Sequence, residues 1–184
     1  MQSNLGNGRN KKNSLKVKNK TTMKTKALIF AFLCVCFISY GQKIAVLPYD
    51  ATAYEWIFKN CTQAELSNDD FELSDSILNI CINEYNIEQE KRYKEICNKY
   101  PDTKFDKYRF LIDIKKYRRQ YICVTNKRGE KEIWINFLCD IDREYYKGWE
   151  TDIIVVKDGG NCFFEIKINL TTKTYYDLFV NGDA

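Results

Sequence analysis

The longest amphipathic pattern in the chain covers residues 72–100. Apolar side chains recur there at spacings of three and four, namely Leu73, Ile77, Ile80 and Cys81, with Tyr85 continuing the face. This period places them on one side of an α-helix, which can then pack against a core. Pro101 ends the pattern because proline cannot continue a helix. We therefore predict one long helix, with Asp70 or Ser74 as its N-cap.

After residue 110 the period of the pattern changes to two, which is typical of β-strands with one buried face. The predicted strands cover residues 43–48, 116–125, 133–139, 153–156, 162–170 and 174–180. The Asp-Gly-Gly-Asn sequence at 158–161 predicts a hairpin turn, in which glycine supplies the positive φ. Residues 126–129 predict another turn, and residues 51–60 predict a turn or a short helix.

One main helix followed by successive strands indicates an α+β architecture. Antiparallel strands joined by short links are the simplest arrangement, and the helix would cover the apolar face of their sheet. We therefore predict one helix packed on a four- to five-stranded antiparallel meander.

Charge is distributed unevenly along the chain. The sequence carries 29 lysine and arginine residues against 25 aspartate and glutamate residues. Eight of these cations, and no acidic residue, lie in residues 1–41, so residues 42–184 carry a net charge of −4. The basic total of the whole chain therefore does not indicate nucleic-acid binding.

Residues 27–40 form an uncharged apolar run that two lysines precede. Ser39 and Gly41 are small residues at the positions that a signal peptidase recognises, so we predict cleavage between Gly41 and Gln42. The run is shorter than the about 20 residues of a membrane span, and an uncleaved N-terminal anchor is the alternative.

The chain is accordingly divided into three parts. Residues 1–22 are predicted to be a disordered extension, or to precede a true start at Met23. Residues 23–41 are the predicted signal peptide, and residues 42–184 a single exported domain in the periplasm or outside the cell. No transmembrane span is expected in the mature chain.

The exported part contains six cysteines: Cys61, Cys81, Cys97, Cys123, Cys139 and Cys162. An oxidising compartment allows up to three disulfides, whereas cysteine also packs as a buried free thiol. Cys81 and Cys97 would lie about 24 Å apart on a continuous helix, and a disulfide needs Cα atoms within about 7 Å. We expect at least one disulfide, and Cys81 and Cys97 would have to pair elsewhere unless a break near Asn86 folds the helix back.

The chain contains no histidine, and its exported part contains no Cys-x-x-Cys pair. These absences exclude a Ser-His-Asp triad, a papain-like cysteine nucleophile and a histidine-ligated metal site. The acidic residues Asp140, Asp142 and Glu144 begin like a calcium loop, but Tyr145 and Thr151 stand where that loop needs glycine and glutamate. We therefore predict no catalytic residue, no cofactor and no metal.

A basic strip at residues 104–131 carries ten cations against three acidic residues. Its candidate binding residues are Lys116, Tyr117, Arg118, Arg119 and Tyr121. They could contact an acidic protein face or another anionic surface. In the alternative interpretation, which the acidic composition of the exported part favours, the strip is a solvated strand face whose charges pair with the acidic helix.

The order of one helix followed by antiparallel strands resembles the cystatin-like and nuclear-transport-factor-like α+β folds. The Gln-x-Val-x-Gly loop of the cystatins is absent, which argues against an inhibitor of cysteine proteases. The sequences Tyr-Arg-Arg-Gln-Tyr at 117–121, Trp-Ile-Asn at 134–136, Asp-Gly-Gly-Asn-Cys-Phe-Phe at 158–164 and Val-Asn-Gly-Asp-Ala at 180–184 resemble a group of small exported bacterial proteins of unknown function. That resemblance brings no activity with it, because a shared fold does not imply a shared function.

These features predict an exported, non-catalytic binding or interaction domain whose partner is a protein or an anionic surface. Two alternatives remain. One is a small enzyme that uses carboxylate and tyrosine groups on a neutral ligand, in a pocket between helix and sheet. The other is a structural component of the envelope.

Overall fold

The computed structural model describes residues 43–139 and 147–182. The predicted leader, its cleavage site at Gly41 and Gln42, and the acidic residues Asp140, Asp142 and Glu144 lie outside these ranges. Among the described residues, no helix combines the length and the apolar character needed to cross a membrane.

The predicted long helix is confirmed as α1, Asn68–Lys99, which begins four residues earlier than the pattern indicated. Its N-cap is Ser67, rather than Asp70 or Ser74. The Ser67 Oγ accepts the Asp70 backbone N–H at 3.2 Å, and the Asp70 carboxylate accepts the Ser67 N–H at 2.7 Å. This reciprocal pair is a capping box, so Asp70 contributes from the third helical position.

Six strands form one sheet in the described part of the chain. They are β1 (Ile44–Val46), β2 (Thr62–Gln63), β3 (Tyr117–Thr125), β4 (Lys131–Cys139), β5 (Phe163–Asn169) and β6 (Thr174–Val180). The strand order is β1-β3-β4-β5-β6, and β2 pairs with the C-terminal end of β3. The α+β class is therefore confirmed, together with an antiparallel run from β3 to β6.

The predicted strict meander is wrong, because the sheet is larger and β1 runs parallel to β3. The chain leaves β1, passes through α1 and returns to β3, and such a crossover is what parallel neighbours require. β1, α1 and β3 thus form a crossover between parallel strands, and a series of hairpins contains no such crossover.

The connection between β4 and β5 also differs from the prediction. Residues 153–156 have no strand conformation, and residues 158–161 do not close a hairpin. Instead, a short 3-10 turn at Gly160–Cys162 leads directly into β5. Gly159 has a φ of +90°, and a Cβ at this position would lie 2.7 Å from the Phe163 ring. Glycine is therefore required there both by the backbone conformation and by the packing.

Both faces of the sheet are covered. The face toward α1 holds the buried residues Ile77, Leu78, Cys81, Tyr121, Cys123, Ile133, Ile135, Phe137, Phe164, Ile166 and Ile168. The opposite face holds Ala45, Leu47, Ile57, Phe58, Ile122, Val124, Trp134, Leu138, Trp149 and Phe163. Because alternate residues of a strand point to opposite faces, each central strand contributes to both cores. The second core is where an opening to solvent remains.

Candidate functional site

An aromatic cleft opens on the face of the sheet opposite α1. Its lining includes Trp56, Trp134, Asn136, Ile154, Val155, Val156, Lys157, Phe163, Glu165, Phe179 and Asn181. Its volume is about 290 Å³. The floor comes from β4 and β5, the sides come from Phe179 of β6 and from the chain at 154–157, and Trp56 comes from the turn before β2. This set of residues is called the aromatic cleft below.

Trp134 forms the floor of the aromatic cleft and is only 1% exposed. It points away from α1 because its neighbours Ile133 and Ile135 point toward the helix. The Trp56 ring stands edge-on to it, with centroids 5.7 Å apart and an interplanar angle of 86°. Edge-to-face contact is a favoured arrangement of aromatic rings, so Trp56 is held at the mouth of the cleft.

The segment 154–157, which forms one wall of the cleft, is attached to the sheet by side-chain amides instead of by backbone hydrogen bonds to a neighbouring strand. Asn136 donates to the Ile154 carbonyl at 2.8 Å, and Asn181 donates to the Val156 carbonyl at 2.7 Å. The Ile154 N–H donates to Oε1 of Gln120 at 3.1 Å. Backbone groups near a core need partners. Here the amides supply them, which explains why 153–156 lies on the sheet without being a strand.

Gln120 is the anchor of this wall and is completely buried. Its Nε2 donates to the carbonyls of Trp149 at 2.5 Å and Asp152 at 2.7 Å. Its Oε1 accepts from Ile154 and, at 3.0 Å, from Asn136. Both N–H groups and both lone pairs of the amide are thus used. Gln120 therefore has a structural role beneath the cleft and is not free to contact a ligand.

An indole N–H and a carboxyl lie next to each other at the floor. In the described part of the chain, Trp134 Nε1 is a buried side-chain polar atom without a close hydrogen-bond partner. Glu165 lies nearby on β5, half-buried. Burial raises the pKa of the Glu165 carboxyl, and the Trp134 indole and the Lys167 ammonium offset this only in part. The Glu165 carboxyl is thus the acceptor that interacts with the indole N–H.

The rim of the aromatic cleft is apolar and exposed. Trp56 is 53% exposed, Val155 65% and Phe179 60%. Large apolar side chains that surround an opening and remain in water are typical of a binding site. Chemically, the site offers an apolar slot whose lining includes one carboxyl group, Glu165, and one ammonium group, Lys157.

The basic strip predicted from the sequence does not form one exposed surface. Tyr117 and Tyr121 are buried on the face toward α1. Arg119 lies on the same face, with its Nη1 2.5 Å from the Asp75 carboxylate of α1. Arg118 points to the opposite face, 5.2 Å from the Trp149 ring. Lys116 precedes the strand and lies 3.8 Å from Asp113.

The strip agrees with the alternative interpretation only in its charge pairing, because β3 is largely buried and is not a solvated face. Besides the Arg119–Asp75 pair, Lys131 lies 2.5 Å from Asp70 and Lys107 lies 2.7 Å from Glu90. All three carboxylates belong to α1. The charges of the strip therefore serve in part to attach the helix to the sheet and to the segment before it.

The described cysteines include one disulfide-bonded pair and several free thiols. Cys139 and Cys162 form a disulfide between the end of β4 and the start of β5, with Cα atoms 4.8 Å apart. Cys61, Cys81, Cys97 and Cys123 are free thiols in the described residues. The prediction of at least one disulfide is confirmed. Cys81 and Cys97 lie on one continuous helix and do not pair with each other. The bridge closes the connection that carries the cleft wall.

A second polar cluster surrounds Glu132 at the other end of β4. The Glu132 carboxylate accepts from Asn126 at 2.8 Å, from Tyr176 at 2.9 Å and from Asn169 at 3.2 Å. Burial and the Glu132 carboxylate both raise the pKa of the Tyr176 hydroxyl. Because Glu132 is buried and its oxygens already have partners, the cluster stabilises the β3–β4 turn and offers nothing to a ligand. In the described residues, no group of three or more acidic or cysteine side chains could hold a metal ion.

The aromatic cleft was missed by the sequence analysis. The alternation in β4 already placed Trp134 and Asn136 together on one face, opposite to Ile133 and Ile135. It did not show that residues 154–157 return over that face, because side-chain amides hold them and no local pattern predicts such contacts. The usable signal was an asparagine and a glutamine, Asn136 and Gln120, at positions where a buried strand face would carry apolar residues.

Comparison with known proteins identified no relative. No family model matches the chain, and neither a curated protein nor a solved structure is significantly similar to it. The resemblances stated from the sequence therefore stay predictions.

Proposed function

We propose that this protein is an exported, non-catalytic binding domain that takes an apolar ligand in the aromatic cleft. The observation that carries the proposal is the rim: Trp56, Val155 and Phe179 remain exposed around an opening whose floor is a buried tryptophan. Removing such a surface from water is favourable, at about 25 cal/mol per Å². A ligand that covers the rim would gain this free energy.

Export is supported by the predicted signal peptide and by the Cys139–Cys162 bridge. Disulfides persist in oxidising compartments and are rare in the cytosol. The free thiols do not weaken this proposal, because Cys81 and Cys123 are buried as small apolar side chains.

The catalytic alternative needs a carboxylate and a tyrosine in one pocket. Among the described residues that line the aromatic cleft, Glu165 is the single carboxylate and tyrosine is absent. A second, more polar depression lies between the second half of α1 and the end of β6, and its described lining contains Tyr85, Arg92 and Arg109 but no carboxylate. Neither opening assembles the pair, so the geometry supports binding better than acid–base chemistry.

The proposal is tested with a neutral apolar fluorophore, N-phenyl-1-naphthylamine. We expect its fluorescence to rise on binding to the wild-type protein, and Phe179→Asp to weaken the binding at least about tenfold because a charge then stands at the apolar rim. Val155→Asp should act in the same direction. Binding is measured by fluorescence titration, and the fold of each variant is checked by circular dichroism.

The matched control is Ile80→Asp. Ile80 is 58% exposed, nearly as much as Phe179, but it lies on α1 away from the cleft. It should leave the affinity for the fluorophore unchanged. Equal affinity of the wild type and both rim variants, or equal weakening by Ile80→Asp, would contradict the proposal.

A further inference from the structure

We propose that the partner of this domain is an extended peptide segment, which joins the sheet as a strand beside β6 and lays an apolar side chain on the rim of the aromatic cleft. This inference rests on the proposed function, because it names the partner that the same site takes. Two features that meet at Phe179 carry it. One is the free edge of β6, and the other is the exposed apolar rim.

β6 is the last strand in the order of the sheet, and no strand in the described ranges pairs with its outer side. The Asn181 N–H donates to the Phe163 carbonyl at 3.0 Å, so the backbone groups of Asn181 point toward β5. The backbone groups of successive residues point to opposite sides of a strand. The N–H and C=O of Val180 therefore point away from β5, and none of the described hydrogen bonds outside the strand ladders reaches them.

The two halves of this edge differ in how they are protected. Natural edge strands avoid pairing by means of charges, proline or a bulge. In the first half of β6 the register to β5 shifts between Glu165 and Lys167, and the exposed Asp177, with a φ of +52°, lies within this shift. The second half, residues 178–181, contains neither a charge nor a proline. The unprotected half of the edge is thus the half that lines the aromatic cleft.

The chemistry of this edge selects another backbone as its partner. A donor and an acceptor side by side on an extended strand are both matched by one residue of an antiparallel strand. Peptides that add to a sheet edge bind in this way, and pockets for their alternate side chains give the specificity. A small apolar molecule could cover the rim but would leave the N–H and C=O of Val180 to water.

Phe179 connects the edge to the cleft. Its ring is 60% exposed and stands at the rim, on the face of the sheet opposite α1. The peptide residue directly opposite Phe179 points to the same face and lies close enough to contact it. A large apolar side chain at that position therefore covers the exposed ring, which is favourable because apolar surface leaves the water. Its two neighbours in the peptide should be β-branched, since such residues suit a strand.

The probe is the peptide acetyl-Thr-Val-Phe-Val-Thr-amide, and its matched control has alanine in place of the phenylalanine. We expect the phenylalanine peptide to displace N-phenyl-1-naphthylamine from the wild-type protein. We also expect it to bind at least about tenfold more tightly than the alanine peptide. Fluorescence titration measures the displacement, and NMR titration measures peptide binding directly.

Methylation of single backbone nitrogens in the peptide tests the strand pairing itself. With the phenylalanine opposite Phe179 in an antiparallel pair, the first valine lies opposite Val180 and its N–H points toward β6, whereas the phenylalanine N–H points away. Methylation of the first valine nitrogen should weaken binding at least about tenfold, and methylation of the phenylalanine nitrogen less than about threefold. A parallel peptide would exchange the two effects and would equally support pairing at this edge. Equal effects at the two positions would overturn the inference.

A variant of the protein tests the same hydrogen bond from the other side. Val180→Pro removes an N–H that points outward, and proline is tolerated on edge strands where the N–H faces solvent. It should weaken the phenylalanine peptide at least about tenfold and leave the affinity for the fluorophore unchanged. Val180→Ala shortens the same side chain but keeps the N–H, so it is the matched control and should keep the peptide affinity. The methylated peptides are measured on the wild type and do not depend on the folding of either variant.

Sedimentation of the protein alone separates a peptide partner from a second copy of this chain. A wild-type dimer that Val180→Pro dissociates would assign the edge to a second copy and would overturn the peptide. Failure of the phenylalanine peptide to displace the fluorophore would also overturn it. Either result leaves the proposed function intact if Phe179→Asp still weakens the fluorophore, and loss of that effect as well would overturn both.

Discussion

Glu165 lies on β5 with its carboxyl half-buried at the floor of the aromatic cleft. Burial raises its pKa, and the nearby Asp177 carboxylate acts in the same direction. The folded protein therefore favours the protonated form of this group more than the unfolded chain does. Its contribution to stability is present below the unfolded pKa of 4.5 and is lost as the pH rises through the higher folded pKa.

The raised pKa of Glu165 leads to a prediction for Glu165→Gln. At pH 7 the neutral amide avoids the cost of a partly buried charge, so we expect a higher Tm than the wild type has. Because the carboxyl remains partly open to solvent, the gain should stay below about 1 kcal/mol. At pH 4 the two proteins should melt together. Differential scanning calorimetry at both pH values measures this, and a lower Tm of the variant at pH 7 would contradict it.

At the scale of the elements, two kinds of attachment hold the fold together. The strands β3 to β6 are joined by continuous backbone ladders, and α1 is joined to them by an apolar face and by ion pairs such as Arg119–Asp75. The segment at 147–157 has no backbone ladder with the sheet, although Trp149 and Ile154 pack against it. It depends on the amides of Gln120, Asn136 and Asn181.

Gln120→Leu tests this dependence. The substitution leaves the carbonyls of Trp149 and Asp152 and the N–H of Ile154 without their partner, and buried groups of this kind cost about 1–3 kcal/mol each. Since the segment can turn toward water, we expect a total loss of about 2–4 kcal/mol. Urea unfolding measures it.

Hydrogen exchange shows where the loss arises. The Ile154 amide should exchange at least about tenfold faster in Gln120→Leu. Amides of β3 and β4 should lose no more protection than the overall loss of stability accounts for. Gln89→Leu on α1 is the control and should change neither quantity. An unchanged rate at Ile154 would show that the amide does not hold the wall.

At the scale of the whole molecule, the sheet is a middle layer with a core on each side. α1 covers one face, and the chain before β2 together with the chain before β5 covers the other. The Cys139–Cys162 bridge closes a connection with a sequence separation of 23 residues. In the chain-entropy description, a loop of this size gives about 3 kcal/mol. The bridge therefore stabilises the part of the molecule that has no backbone ladder.

Thiol alkylation tests this arrangement together with export. Expressed with its leader in a Gram-negative host, the protein should have an intact mass that starts at Gln42. In the native state Cys61 and Cys97 should react first, because they are partly exposed. Burial raises the pKa of the Cys81 and Cys123 thiols to about 11.

The two buried thiols should therefore react only after unfolding, since about one in a thousand would be ionised at pH 8. Cys139 and Cys162 should take up label only after reduction. A mass that includes the leader would contradict export, and labelling of Cys139 in the unfolded but unreduced protein would contradict the bridge.

Much of the fold could be predicted because it depends on local periodicity. The helix at residues 72–100 and the alternation in β3 to β5 were visible as spacings of apolar residues. The strand at 153–156 was predicted wrongly for the same reason: a short apolar run shows that a segment is buried, but not whether its backbone pairs with another strand. The basic strip was proposed as a binding surface because of its charge. Charge alone does not show which side chains are exposed, and Tyr117, Arg119 and Tyr121 lie on the face of β3 that packs against α1.

The sequence by itself determined the α+β class, the long helix, the two alternating sets of residues in β3, β4 and β5, and the distance between Cys81 and Cys97 on a continuous helix. These follow from geometry within one element, where a repeat of 3.6 or 2.0 residues sets the direction of each side chain. The tertiary structure decided the parallel pairing of β1 with β3, the partner of Cys139, and the aromatic cleft. Each of these brings together residues far apart in the chain, and their contacts depend on which surfaces pack rather than on any local pattern. The aromatic cleft is the clearest case, because its lining comes from two central strands and from a segment that returns over them.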